Sequence, residues 1–137
     1  MSTQPSRAAG AASAALRMPW APVVDVVLVV VFAALGRASH DADNPVVGAL
    51  ATAWPFLVGL AGGWALVRWR SGRWPLDVGA GVTTWVCTLV LGMVLRTLTG
   101  QGTHWSFILV AASVLAVFLV GWRWLAHRLA RGRPVAA

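Results

Sequence analysis

Residues 20–37 read WAPVVDVVLVVVFAALGR, an apolar run with one acid, Asp25, near its start and one base, Arg37, at its close. Apolar side chains fill successive positions instead of alternating with polar ones, so the segment reads as a helix in apolar surroundings and not as a half-buried strand. Its length of about 17 residues, Trp20 to Gly36, is enough to cross a ~30 Å hydrocarbon layer as helix. Three similar runs follow: Val46 to Val67, closed by Arg68 and Arg70; Leu76 to Leu95, closed by Arg96; and Trp105 to Gly121, running into Trp122-Arg123-Trp124.

The whole composition agrees with these four segments. The chain of 137 residues is 58% hydrophobic and 11% charged, against ~45–50% and ~25% in soluble domains. A small globule has too much surface for its volume to hide that apolar excess from water. A soluble enzyme and a disordered chain are both excluded. The predicted fold is all-α, a four-helix transmembrane bundle spanning 20–126, with a disordered cytoplasmic tail over 1–19 and a basic cytoplasmic tail over 127–137. The first run has a rival reading as a secretory signal peptide ending near Gly36-Arg37-Ala38, but Asp25 in its core and Arg37 at the cleavage position oppose removal. It is expected to stay.

Charge supplies an orientation. Lys+Arg totals 11, all arginine, against four aspartates, for a net charge of +7. Arg7 and Arg17 precede the first run, Arg68, Arg70 and Arg73 follow the second, and Arg123, Arg128, Arg131 and Arg133 follow the fourth. The intervening loops are poorer, with Arg37 set against Asp41 and Asp43 in one and no charge in TLTGQGTH. The positive-inside rule then places both termini in the cytoplasm of a bacterial inner membrane, the bacterial origin suggested by the Ala, Gly and Arg bias. Trp20, Trp69, Trp74, Trp105, Trp122 and Trp124 fall where indole rings favour the interface. The expected partners are the bilayer and its anionic lipid headgroups. No RNA- or DNA-binding motif accompanies the arginines, so nucleic acid is not expected.

A two-helix pseudo-repeat is one reading of the pattern, and chance likeness another. Asp25-Val26 and Asp77-Val78 stand near the starts of the first and third runs, and Trp54-Pro55-Phe56 and Trp105-Ser106-Phe107 in the second and fourth.

Five polar residues are candidates for an intramembrane or pocket role: Asp25, Arg37, His40, Arg96 and Arg123. An acid inside a span costs ~2.5–3.5 kcal/mol at the centre and less toward the interface. Asp25 is therefore either a proton or cation site or the structural partner of Arg123 or Arg68. Ala80, Thr84, Thr88 and Gly92 form a line of small residues at i, i+4 spacing whose next member is Arg96, the pattern of a close helix seam. Arg37, His40, Arg96 and His104 could form a basic pocket for an anion, a lipid headgroup or a quinone-like carbonyl, or the arginines could simply snorkel. Pro55 reads as a kink or as a break lining a site. Gly59 and Gly63 make a GxxxG pair that packs within the chain or between two copies, so a homo-oligomer is one expectation. Nothing forms a nucleophilic or catalytic set. Cys87 alone permits no disulfide, and His40, Asp41 and Asp43 lack the spacing of a metal motif, so neither metal nor cofactor is expected.

Asp25, the string Gly36-Arg37-Ala38-Ser39-His40, Pro55-Phe56, Gly92-Met93-Val94-Leu95-Arg96, Ser106-Phe107 and Gly121-Trp122-Arg123 together resemble a bacterial membrane family, domain-of-unknown-function family 3054. The resemblance runs from about Trp20 to Arg123. It implies a small multi-span bacterial protein and no particular activity. The small multidrug-resistance transporters share four spans and an acid in the first helix, but here the acid is Asp, lies nearer the helix start and is accompanied by more basic loops. The function expected first is a small transporter or permease with a polar intramembrane site. The alternative is a non-transporting component that binds partner proteins or anionic lipids, and a membrane enzyme comes third.

Overall fold

Each apolar run becomes a helix, and most of the ends are set by residues that can be named. The computed structural model describes residues 20–37 and 44–132, which form α1 (Trp20–Arg37), α2 (Pro45–Ser71), α3 (Val78–Leu98), α4 (Trp105–Leu119) and α5 (Gly121–Arg131). No strand occurs among the described residues. The Asn44 side chain caps α2 by accepting from the Val47 N–H, with Pro45 at the first helical position, where its missing donor costs nothing. Gly72 ends α2 in the left-handed region at φ 65°, and its N–H returns to the Arg68 carbonyl at 2.8 Å. Asp77 caps α3 by accepting from the Ala80 N–H at 3.1 Å. α4 passes into α5 at Val120 with helical dihedrals, so Trp105–Arg131 acts as one 27-residue span. Four helices are thus long and apolar enough to cross a membrane, and the protein is a multi-pass membrane protein.

Two ends differ from the sequence reading. α2 runs past Val67 to Ser71, and helix continues past Gly121 to Arg131, into the segment read as a tail. Arginines do not terminate a helix; they mark where its side chains meet the polar interface while the backbone ladder continues. Pro55 lies inside α2 without interrupting it and is fully buried. His40, Asp41 and Asp43, like the two tails outside 20–132, lie outside the described residues.

α2 packs closely on α3. A Cβ built on Gly59 would lie 2.8 Å from the Thr88 carbonyl oxygen, and one on Gly63 would lie 3.0 Å from the Thr84 Cα. Across the same contact, Gly92 receives the Phe56 ring, which a Cβ would meet at 2.5 Å. Thr84 and Thr88 are buried, and each hydroxyl donates one turn back, to Ala80 O and Thr84 O, leaving no unpaired group in the seam. The core itself comprises Val29 and Phe32 of α1, Phe56 and Leu60 of α2, and Ala111, Leu115 and Leu119 of α4. Phe32 meets Phe56 edge-on at 5.4 Å, and Phe107 lies 6.2 Å from Phe56. The two Trp-x-Phe strings therefore act alike: Trp54 and Trp105 are exposed, while Phe56 and Phe107 pack together.

Leucine at Gly59 or Gly92 is expected to lower unfolding stability in detergent by ~1–3 kcal/mol, because bulk enters where a backbone or a locked ring cannot retreat. Val94→Leu, at a position 48% exposed toward the lipid side, should stay within ~0.5 kcal/mol. Thermal or denaturing-detergent titration of the three variants checks this.

Candidate functional site

The acid in α1 lies on an inward-facing line. Ala21, Asp25, Val29, Phe32 and Ala33 are the buried positions of the helix, at three- and four-residue spacing. Asp25 therefore enters the bundle instead of facing lipid, and its side chain has no exposed surface.

There it meets Arg123, equally buried, in a two-pronged pair: Nη1 donates to Oδ1 at 2.8 Å and Nη2 to Oδ2 at 2.6 Å. The Trp122 indole donates to Oδ1 at 2.8 Å and the Trp64 indole to Oδ2 at 3.0 Å, so each carboxylate oxygen accepts twice. The guanidinium is similarly engaged. Its Nε donates to the Pro75 carbonyl at 2.8 Å and Nη1 also donates to the Leu119 carbonyl at 2.7 Å. Arg123 also stacks 4.6 Å over the ring of its neighbour Trp122. Space for it comes from Gly81, where a Cβ would come within 2.6 Å of the Arg123 Cδ. One ionic cluster thus ties α1, α2, the α2–α3 connection, the α4–α5 junction and a face of α3. Because Asp25 lies near the start of α1 and Arg123 near the start of α5, the contact also places the start of α1 and the α4–α5 junction at the same end of the bundle.

A family model described as a protein of unknown function (DUF3054) matches residues 22–126. The chain belongs to this family. The part of the DUF3054 member that matches contains Asp25, Trp64, Gly81, Trp122 and Arg123 together. It covers nearly the same span as the resemblance read from the short strings. No curated protein and no solved structure matches the chain.

The remaining candidates fall elsewhere. Arg68, the other partner considered for Asp25, is exposed and lies 4.8 Å over the Trp74 ring. Arg96 is at the opposite end, 9% exposed, 4.4 Å over the Phe107 ring. Gly100 and Gly102, with φ of 72° and 78°, turn the α3–α4 loop back so that Gln101 meets Arg96. Arg96 Nη1 donates to Gln101 Oε1 at 2.9 Å, and Nη2 donates to the Gln101 and Gly102 carbonyls at 3.4 and 3.3 Å. Arg37 ends α1 with its guanidinium against the backbone of Gly48. His104 is exposed at the start of α4, its Nδ1 3.5 Å from Ser106 Oγ. Asp25 and Arg123 are therefore brought together, while Arg37 and Arg96 lie apart from them, and His40 is not among the described residues. Among those residues no group of three His, Cys, Asp or Glu side chains could hold a metal.

Trp64, Trp122, Pro75 and Gly81 were not identifiable as parts of this cluster by charge counting. Trp122 adjoins Arg123 and reads as an interfacial ring, whereas in the fold it turns its N–H inward. Trp64 carries the better signal: it stands four and eight residues after Leu60 and Phe56, and so continues the core-facing line of α2.

Breaking a buried pair from one side leaves the other charge stranded, at a cost of ~3–5 kcal/mol. Asp25→Asn and Arg123→Gln are each expected to destabilise on that scale in detergent. The double variant should lose clearly less than the sum, because the two substitutions remove one shared interaction. A thermal-unfolding double-mutant cycle measures it.

Proposed function

We propose that the protein is a non-transporting component of the bacterial cytoplasmic membrane that holds anionic lipid headgroups with an arginine collar at its cytoplasmic end. The observation that carries this is the saturation of Asp25. A carrier acid must exchange its proton or ion with water, yet all four of the hydrogen bonds it accepts come from fixed protein donors and no part of its side chain is exposed. A charge so enclosed closes the bundle; it is unsuited to cycle through it.

The collar surrounds that closed end. Arg68, Arg70 and Arg73 at the end of α2 and in the following loop, and Arg128 and Arg131 on α5, are all exposed. The one other acid described at this end, Asp77, is used as a helix cap. α5 also exposes Trp124, Leu125 and Leu129, and Arg128 stacks over Trp124 at 4.9 Å. Apolar side chains for the upper hydrocarbon and arginines for phosphates on one helix are the components of an interfacial anchor. The excess of arginine at this end supports its cytoplasmic placement.

Three measurements test the reading. In a Cys87→Ala background, a cysteine at Ser71 should react with an impermeant maleimide only after cells are opened. In vesicles of mixed lipid, brominated phosphatidylglycerol should quench the tryptophans more than brominated phosphatidylcholine, with the preference fading as salt screens it and disappearing when Arg68, Arg70, Arg73, Arg128 and Arg131 become Gln. Proteoliposomes loaded with a pH dye should acidify no faster than protein-free ones. Proton flux that Asp25→Asn abolishes would restore the transport reading.

A further inference from the structure

At the end of the bundle opposite the ion pair, two arginines have no counter-charge among the described residues. Neither Arg37 nor Arg96 meets a carboxylate among the described residues, where Asp25–Arg123 is the one salt bridge. The Nε of each is buried and has no hydrogen-bond partner. Arg123 shows what complete engagement looks like in this same fold, with its Nε on a carbonyl and its Nη atoms on a carboxylate. Arg96 is held by Gln101 and Gly102, which are neutral acceptors, so its position is fixed and its charge is not cancelled. Each cation is held in place with its charge unbalanced among the described residues, which favours an anion approaching that end of the bundle.

Beside these arginines lies a groove of about 490 Å³ between α1 and α4, lined by Phe32, Leu35, Ser106, Phe107, Val110 and Val114, together with Gly36. Its two walls connect to the two cations: Gly36 is followed by Arg37, and Phe107 carries Arg96 over its ring. From Ser106 to Val114 the groove descends about 12 Å along α4 at 1.5 Å per residue. Its polar wall residue, Ser106, stands at the loop end, and the walls below are aromatic and aliphatic. The shape fits an amphiphile with an anionic head at the rim and a chain lying in the crevice.

We infer that this crevice binds a single anionic lipid, its phosphate at Arg37 and Arg96 and one acyl chain between α1 and α4. The site lies at the opposite end from the arginine collar and does not depend on it. A phosphodiester provides two unesterified oxygens for donors on two helices, and bridging α1 to α3 would brace the end of the bundle opposite Asp25 and Arg123. A free phosphate offers the same head without the chain. The groove below the rim favours the lipid.

The test uses the full chain in a neutral maltoside detergent with the five collar arginines replaced by Gln, so that only the opposite end is read. Thermal stability is followed while dihexanoyl phosphatidylglycerol, dihexanoyl phosphatidylcholine or inorganic phosphate is titrated. The phosphatidylglycerol should raise the melting temperature saturably and the other two should not. Arg37→Gln and Arg96→Gln should each weaken the apparent affinity about tenfold, equivalent to about 1.4 kcal/mol. Val110→Trp, at an exposed position on the groove wall, should weaken it similarly with both arginines intact, which keeps the test valid if Arg96→Gln fails to fold. Equal stabilisation by phosphatidylcholine, or by inorganic phosphate alone, would overturn the inference. So would a response that appears only after Asp41 and Asp43 are changed to Asn, because those loop acids would then be the native counter-charge.

Discussion

An acid and a base that cannot be left alone in hydrocarbon determine how this bundle closes. Asp25 and Arg123 are each costly to bury singly, and only mutual contact plus a complete set of hydrogen bonds offsets that cost. The requirement extends outward from the pair. Two indoles must aim their N–H groups at the carboxylate, the Pro75 and Leu119 carbonyls must face the guanidinium, and position 81 must lack a side chain. Helices in lipid gain little from apolar contact, since lipid tails are equally apolar. Polar complementarity and close backbone approach then supply the specificity that a hydrophobic core provides in water, and this fold has one of each: the cluster at one end and the Gly59–Gly63–Gly92 seam along α2 and α3.

The architecture was largely legible because lipid imposes a simple code. Four apolar runs separated by arginines became four spans, and Thr84, Thr88 and Gly92 lie buried against α2. Helix ends were less legible, since Arg68, Arg70 and Arg123 mark depth and not termination. At the candidate site, charge alone narrowed the partner of Asp25 to Arg123 or Arg68. The choice between them depends on which face of α5 turns inward, a tertiary fact with little trace in a run such as Gly121-Trp122-Arg123-Trp124. The roles of Pro75, Gln101 and Gly81 were hidden for a related reason. Two act through backbone carbonyls or an absent Cβ, and Gln101 acts because two glycines bend its loop.

The two ends of the molecule satisfy arginine by different means. At one end a guanidinium is neutralised internally by a carboxylate. At the other, Arg96 rests on carbonyl oxygens and the face of Phe107, while Arg37 lies on bare backbone at Gly48. The first arrangement balances its charge within the protein, and the second leaves its guanidinium groups without a carboxylate among the described residues.

The members of the buried pair are 98 positions apart in the chain. During synthesis, α1 is made and delivered to the membrane long before α5 exists, so Asp25 begins its life in the bilayer without its base. Its place near the helix start, in the second turn, lets it wait at the wet boundary instead of at mid-depth. The cluster can form only when the last span arrives. A chain interrupted before Arg123 would leave the acid of α1 uncompensated among apolar helices.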